Sequence, residues 1–397
     1  MHQPKTLAVK LRPAAEKAVK QSHPWVFSKG IAKIKKNGNP GDLCIIFDRD
    51  TNKAMAIGLY DPSSPIRIKI IHYPGSAKID DNFFKRKIQT AFAVRKPLLQ
   101  TNTNAYRFLY GENDGFPGLI VDIYNKVGVV KLYSAIWFPY LQGIVEALVE
   151  FSRVEAMVLR LSRNLQKENP PLQEGAVLYG ELKSTEVQFK EYGINFQIDV
   201  LLGHKTGFFL DHRENRRRIG QMAKDKTVLD VFAYAGGFSI HALAGEAKEV
   251  YSLDFSKQAL QLAKKNAKLN PHKGKYKTMN GDAFEILPEL IAQNKQYDIV
   301  VIDPPSFAKR KREIVIAKKK YAELAALGAK LTAKGGLLLL ASCSSRINAD
   351  VFVNIHKDEF RKTGVNYELK DFTQHDIDHP IGFKEGAYLK SAYYRIY

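Results

Sequence analysis

Cysteine is nearly absent from this sequence, with only Cys44 and Cys343 in 397 residues. Two thiols so far apart exclude a disulfide framework, and nothing beside either one suggests a zinc site, so a cysteine that matters here does so as a lone thiol. Long apolar runs are missing as well. No early run resembles a signal peptide and no stretch approaches the roughly 18 to 20 apolar residues of a membrane span, so the chain is read as cytoplasmic with no membrane partner. Acidic residues are scarce at the start: the first forty residues hold nine Lys or Arg against the single acid Glu16. There is no internal repeat and no low-complexity tract.

Basic charge is what the chain has in excess. Its 61 Lys+Arg against 41 Asp+Glu leave a formal net charge of +20, which favours a polyanionic partner over a neutral one. With 45% hydrophobic residues the chain can bury sizeable cores, and its length suggests two or three domains. Composition and pattern divide it at about 75 and 190. Residues 1–75 read as a small β-rich module with strands at 42–47, 54–60 and 66–72 between Gly, Pro, Asn and Ser turns. Within it, His23-Pro24-Trp25-Val26-Phe27 sets aromatics among the charges, where Trp25 either fills a small barrel core or stacks on a base. Residues 76–190 mix helix and strand: a basic amphipathic helix over 82–99, strands at 119–124, 127–133 and 156–160, a helix over 139–151, and a surface loop over 162–174.

The last segment, 191–397, is organised around Thr227–Asp254. An apolar run ends in Asp230, a small-residue turn follows through Ala233, Ala235, Gly236 and Gly237, and a helix-like stretch leads to a second apolar run ending in Asp254. Glycines let a backbone approach a ligand, and an acid closing the next strand can accept both hydroxyls of a ribose. The turn is not the strict G-x-G-x-x-G of a pyrophosphate site, and Asp230 suits a ligand's ammonium better than a phosphate. S-adenosylmethionine is favoured over a nicotinamide cofactor, although the unit by itself fits either.

From Thr227 onward, strand-like runs at 227–233, 249–254, 276–282, 297–303 and 336–342 alternate with helical periodicity. This α/β alternation predicts a parallel sheet with helices on both faces. Asp230, Asp254, Asp282, Asp303 and Cys343 stand at the carboxyl ends of these runs, the edge where open α/β sheets bind ligands. Asp303 opens Asp303-Pro304-Pro305-Ser306-Phe307, whose prolines leave carbonyls without competing N–H groups, a rigid acceptor edge for an exocyclic amine. Enzymes that methylate such an amine usually follow the prolines with an aromatic, and Ser306 takes that position here. Cys343 suits a different chemistry. Carbon 5 of a pyrimidine becomes nucleophilic once a thiolate adds to carbon 6, and a thiol titrating near 8.5 needs neighbouring stabilisation to serve. The alternative for Cys343 is a small buried hydrophobe at a strand end. The basic run Lys309-Arg310-Lys311-Arg312 fits either phosphate contact or a solvated helix face.

Motifs spanning the whole chain carry a resemblance. They are the His23–Phe27 segment, Gly111-Glu112-Asn113-Asp114-Gly115-Phe116-Pro117-Gly118, Gly203-His204-Lys205-Thr206-Gly207-Phe208-Phe209-Leu210-Asp211, Asp303-Pro304-Pro305 with Phe307, Ser342-Cys343-Ser344, and the tail Asp378-His379-Pro380 with Glu385-Gly386-Ala387-Tyr388-Leu389-Lys390. Together they resemble the bacterial 23S rRNA cytosine-C5 methyltransferases of the RlmI-like type. That resemblance implies a PUA RNA-binding domain over 1–75, a mixed α+β central EEHEAD domain over 76–190 and a Rossmann-like class I methyltransferase domain over 191–397. It implies Cys343 as nucleophile, and Asp303 as the group that protonates or hydrogen-bonds the cytosine N3 beside the cofactor. S-adenosylmethionine would be held by Asp230, Phe232, Gly236, Gly237, Asp254, Phe255, Asp282 and Ala283, with Lys205, Thr206 and Asp211 flanking its methionine end or the target base. Pro304, Pro305, Phe307, Lys309, Arg310 and Trp25 would meet the RNA. The implied partner is 23S rRNA or a large-subunit assembly intermediate, and the resemblance hints at a homodimer. The chain departs from the family at Ser306, where Lys is frequent, and at Ser345, where Gly is common. It also has no second motif cysteine beside the Asp303 prolines. Two competing readings are guanine methylation with Cys343 a bystander, and a non-catalytic RNA-binding ribosome-assembly factor.

Overall fold

A computed structural model describes residues 3–308 and 310–397. It divides into two compact units, one of Met1–Phe189, Asp199–Phe208 and Ile377–Gly386, the other of Lys190–Ile198, Phe209–Asp376 and Ala387–Tyr397.

Among the described residues, the first unit begins with a six-stranded sheet ordered Trp25–Phe27, Ile66–His72, Ala54–Tyr60, Leu43–Phe47, Thr6–Leu11, Ile31–Ile34. Leu7, Val9, Leu11, Cys44 and Ile46 point to one buried face, following the period-two alternation of a half-buried sheet. Cys44 is thus core, and burial pushes its thiol pKa up. The strand Thr6–Leu11 and the helix Pro13–Lys20 were not expected from sequence; the helix has proline in its first turn and a Glu16–Lys20 pair at 2.8 Å, signals that charge density obscured. A five-stranded sheet follows, built on Ala105–Tyr110, Leu119–Tyr124, Val127–Leu132, Ala156–Leu161 and Val177–Gly180, with helices Asp81–Arg95 and Leu141–Ser152 packed together against it.

Two buried arginine forks explain a motif here. Asp114 binds Arg95 through both oxygens at 2.9 and 2.7 Å and accepts the Tyr110 N–H at 2.6 Å. Asp122 likewise grips Arg107 at 2.9 and 3.0 Å. The remote tail joins the same network: the Asp378 carboxylate accepts the Arg107 N–H at 2.9 Å, and Asn113 Oδ1 accepts the Gly382 N–H at 2.7 Å. Glycine is required at Gly115, where φ is +73° and an added Cβ would lie 2.3 Å from Lys87 Nζ. The Gly111–Gly118 and Asp378–Pro380 motifs therefore share a packing role, visible only once the tail is folded back.

The second unit is a seven-stranded sheet. Its strands are β1 (Thr227–Val231), β2 (Glu249–Asp254), β3 (Lys275–Asn280), β4 (Tyr297–Ile302), β5 (Thr332–Ser342), β6 (Tyr367–Thr373) and β7 (Lys390–Ile396), ordered β3-β2-β1-β4-β5-β7-β6. Five run parallel, and the β5–β7 and β7–β6 pairings are antiparallel. The order reverses beside β1, where both β2 and β4 pair with it, and that switch point opens a crevice at the carboxyl ends. The five expected strands and their helices form within a few residues of their anticipated bounds. The helix Arg213–Met222 was not expected from the sequence. Two of its four arginines are buried in ion pairs, Arg213 with Asp376 at 2.9 Å and Arg216 with Glu191 at 2.6 Å, so it lacks the apolar periodicity that marks a helix in sequence. Among the described residues, no helix is long and apolar enough to cross a membrane.

Candidate active site

The carboxyl edge of the second unit gathers most of the expected site residues. The turn after β1 is strained: Phe232 and Tyr234 take φ of 65° and 48°, and Gly236 takes 81°. Non-glycine residues held in the left-handed region occur where surrounding contacts over-determine the backbone, often at ligand sites. Here one such contact is Asp254, whose Oδ2 accepts the Tyr234 N–H and whose Oδ1 accepts the Ser256 N–H, each at 2.8 Å. Gly236 has a further requirement, since a Cβ there would meet the Ala263 Cβ at 3.0 Å. Gly237 begins the next helix, Gly237–Ala244.

Asp230 is 1% exposed, and its Oδ2 accepts the Ser239 N–H at 3.0 Å and the Ser239 hydroxyl at 2.6 Å. Burial raises its pKa to about 7, with the Asp303 and Asp254 carboxylates adding to the rise and the Ser239 bonds opposing it. A carboxyl held that far up is one that a cation would ionise. Phe255, directly after Asp254, is 79% exposed, a large apolar face left to solvent beside the crevice. Asp282 caps the helix Ala283–Ala292 by accepting the Phe284 N–H at 2.9 Å, and its side chain stays at the surface. A buried acceptor for a cation, a closely approached glycine turn, strand-end carboxylates and an exposed aromatic together fit an adenosine ligand with a cationic tail.

At β4 and β5 a second group forms. Cys343 Sγ lies 3.9 Å from the Pro304 carbonyl oxygen, which brings the half-buried thiol against the Asp303-Pro304 turn. Ser342 donates to the Tyr321 hydroxyl at 2.9 Å, and Phe307 packs on Tyr321 and Phe284 with centroids 5.2 and 6.2 Å away. Pro305 and Arg310 are exposed. Asp211 accepts the Tyr388 hydroxyl at 2.7 Å.

Sequence reasoning missed His212, whose Nε2 lies 3.2 Å from Asp303 Oδ1. Its Nδ1 faces Asn215 Nδ2 at 3.0 Å, while the Asn215 oxygen accepts the Thr373 and Tyr393 hydroxyls at 2.6 and 2.7 Å. That orientation makes His212 Nδ1 the acceptor and assigns the ring proton to Nε2, which is close to Asp303 but makes no hydrogen bond to it. Burial opposes a charged His212, but Asp303 and Asp211 outweigh it and raise its pKa. No local motif could reveal this network, because its members come from four separate segments.

Three expected residues fall in the first unit. The Thr206 hydroxyl donates to Asp122 at 2.6 Å and lies 3.2 Å from the Tyr124 hydroxyl, Lys205 is exposed, and the Trp25 indole donates to Glu112 at 3.0 Å with its ring 5.1 Å from Phe383. Lys309 lies outside the described residues.

A family model described as S-adenosylmethionine-dependent methyltransferase matches residues 110–384, and a PUA-like domain matches residues 9–73. A ribosomal RNA large subunit methyltransferase of Deinococcus radiodurans is 40% identical over 98% of this chain and 97% of its own length. The ribosomal RNA large subunit methyltransferase I of Alteromonas mediterranea is 37% identical over 96% of each. The chain belongs to the ribosomal RNA large subunit methyltransferase I family. Its cofactor is therefore S-adenosylmethionine, and its fold is a PUA-like domain ahead of a Rossmann-like methyltransferase domain. The crystal structure of SMU.776 complexed with S-adenosylhomocysteine matches the methyltransferase with a TM-score of 0.83 over 98% of this chain and all of the other, at 22% identity, a likeness of fold.

Proposed function

We propose that this methyltransferase modifies carbon 5 of a cytosine in large-subunit ribosomal RNA through a covalent adduct on Cys343. The observation that carries the reading is the meeting of Cys343 Sγ with the Asp303-Pro304 turn at 3.9 Å, which sets a nucleophile beside an acid on one sheet edge. The names of the Deinococcus and Alteromonas relatives support ribosomal RNA as substrate, and the formal net charge of +20 supports a polyanion.

In this reading Asp230 faces the cofactor's ammonium, Asp254 accepts the ribose hydroxyls, Asp282 lies near the adenine amine and Phe255 covers the adenine face. When bound, S-adenosylmethionine supplies an electrophilic methyl group on a sulfonium. Cys343 adds as thiolate to carbon 6 of a cytosine turned out of its stack. Asp303 in its protonated form donates to N3 as electron density builds there, with His212 Nε2 lying 3.2 Å from its carboxyl. After carbon 5 is methylated it loses its proton, and the Sγ–C6 bond breaks to release the thiolate. Pro305 and Arg310, both exposed beside the turn, meet the flanking RNA.

Cys343→Ala should abolish methyl transfer while leaving S-adenosylhomocysteine binding intact. Nucleoside mass spectrometry of ribosomal RNA from a strain lacking the protein should show loss of one 5-methylcytidine. Retained activity in Cys343→Ala would refute the covalent route, loss of a methylguanosine instead would reassign the base, and no lost methylation would support a binding factor.

A further inference from the structure

A thiol that adds to carbon 6 must first ionise, and an ordinary cysteine is mostly protonated at neutral pH. The electrostatic surroundings of Cys343 therefore decide whether the proposed chemistry can start. Just past β4 lies Asp303, a carboxyl that opposes a thiolate whenever it is ionised. From the helix Ile314–Leu331 comes Tyr321, whose hydroxyl pKa is pushed up by burial, and further by the charges of Cys343 and Asp303. From β7 comes Lys390. It pairs across the antiparallel ladder with Ser342, the residue before Cys343, and its Nζ donates at 2.6 Å to the carbonyl of Ser344, the residue after. The side chain thus runs alongside the Cys343 backbone from one neighbour to the other. A second bond, to the Tyr388 carbonyl at 2.8 Å, fixes the ammonium, and the residue is 2% exposed.

We infer that Lys390 is a positioning residue that holds Cys343 as the reactive thiolate. The inference rests on the reading of Cys343 as nucleophile. Two neutral carbonyls leave the ammonium charge uncompensated in a buried site, and an anion beside it is the economical partner. Burial pulls the Lys390 ammonium down to about 8, and a charged Cys343 pushes it back up, so each charge sustains the other. The antiparallel strand β7 is what brings this cation to β5.

The test is the pH profile of iodoacetamide alkylation of the full chain, with peptide mapping to separate Cys343 from the buried Cys44. In the unmodified protein the Cys343 midpoint should fall below the ordinary 8.5. Lys390→Gln keeps a donor for the carbonyls and removes the charge; it should move the midpoint up by about one unit or more and slow labelling near neutral pH by about tenfold. Lys390→Arg should keep most of the wild-type profile. A wild-type midpoint at or above 8.5, which needs no variant, overturns the inference, as does an unchanged midpoint in a Lys390→Gln protein that still binds S-adenosylhomocysteine. Because alkylation does not require methyl transfer, this result stands apart from the Cys343→Ala turnover assay, whose failure would sink the nucleophile itself.

Discussion

Asp230 allows a proton-linked test of where the cofactor's ammonium sits. Its carboxyl is 1% exposed and its pKa is raised to about 7, against an ordinary value near 3.9. The difference of about three units corresponds to roughly 4 kcal/mol favouring the protonated form in the empty site. If an ammonium binds there and returns the pKa to about 4, binding releases about half a proton at pH 7 and about 0.9 at pH 6. The sign follows from the raised pKa: as pH falls below 7 the ligand must displace a proton, so affinity drops about tenfold between pH 8 and pH 6. S-adenosylhomocysteine is the suitable probe, since it carries the ammonium and cannot react, and below pH 7 its amine stays charged. Calorimetry in two buffers of different ionisation enthalpy measures the released protons directly. Asp230→Asn should bind more weakly and release none. A wild-type titration with no proton release between pH 6 and 7 would refute the assignment of Asp230 to the ammonium, whatever the affinity.

Two stability predictions test the buried ion pairs. Asp114→Asn strands the fully buried Arg95 guanidinium and should destabilise the first unit by about 3 to 5 kcal/mol in urea unfolding; a loss under about 1 kcal/mol would show that the pair is dispensable. In the second unit, burial by itself would push the Glu191 carboxyl up, but Arg216 and His241 hold it down at about 2. A depressed acid adds stability above its unfolded value near 4.3 and loses it as pH falls toward 2. Thermal unfolding of Glu191→Gln between pH 6 and pH 3 should therefore fall less steeply with acidity than the wild type, and parallel slopes would contradict the assignment.

How much of this was legible in the sequence varies by element. The strand and helix alternation from Thr227 to Ser342 was readable because parallel strands buried on both faces are short apolar runs and their helices keep a clear period. The acids and the cysteine closing those strands were readable for the same reason, since in such a sheet strand ends and ligand edge coincide. Charged segments were not. Arg213–Met222 hides a buried helix because Arg213 and Arg216 enter the interior as halves of ion pairs, and a pattern of hydrophobicity cannot register a charge neutralised by a distant residue. Thr206 shows the same limit: the resemblance set it beside the cofactor's methionine end or the target base, while its hydroxyl binds Asp122, eighty-four positions away.

The sequence by itself determined the α/β class of the last domain, the basic character, the carboxyl-edge residues and the family resemblance, because each depends on local periodicity or on adjacent residues. Only the tertiary structure decided that Lys390 bonds the Ser344 carbonyl next to Cys343 in the chain, that His212 sits 3.2 Å from Asp303 and that Asp378 secures the Arg107 backbone. Each of these depends on an antiparallel return or on a chain segment folded back from far away, and such a contact leaves no trace in the spacing of neighbouring residues.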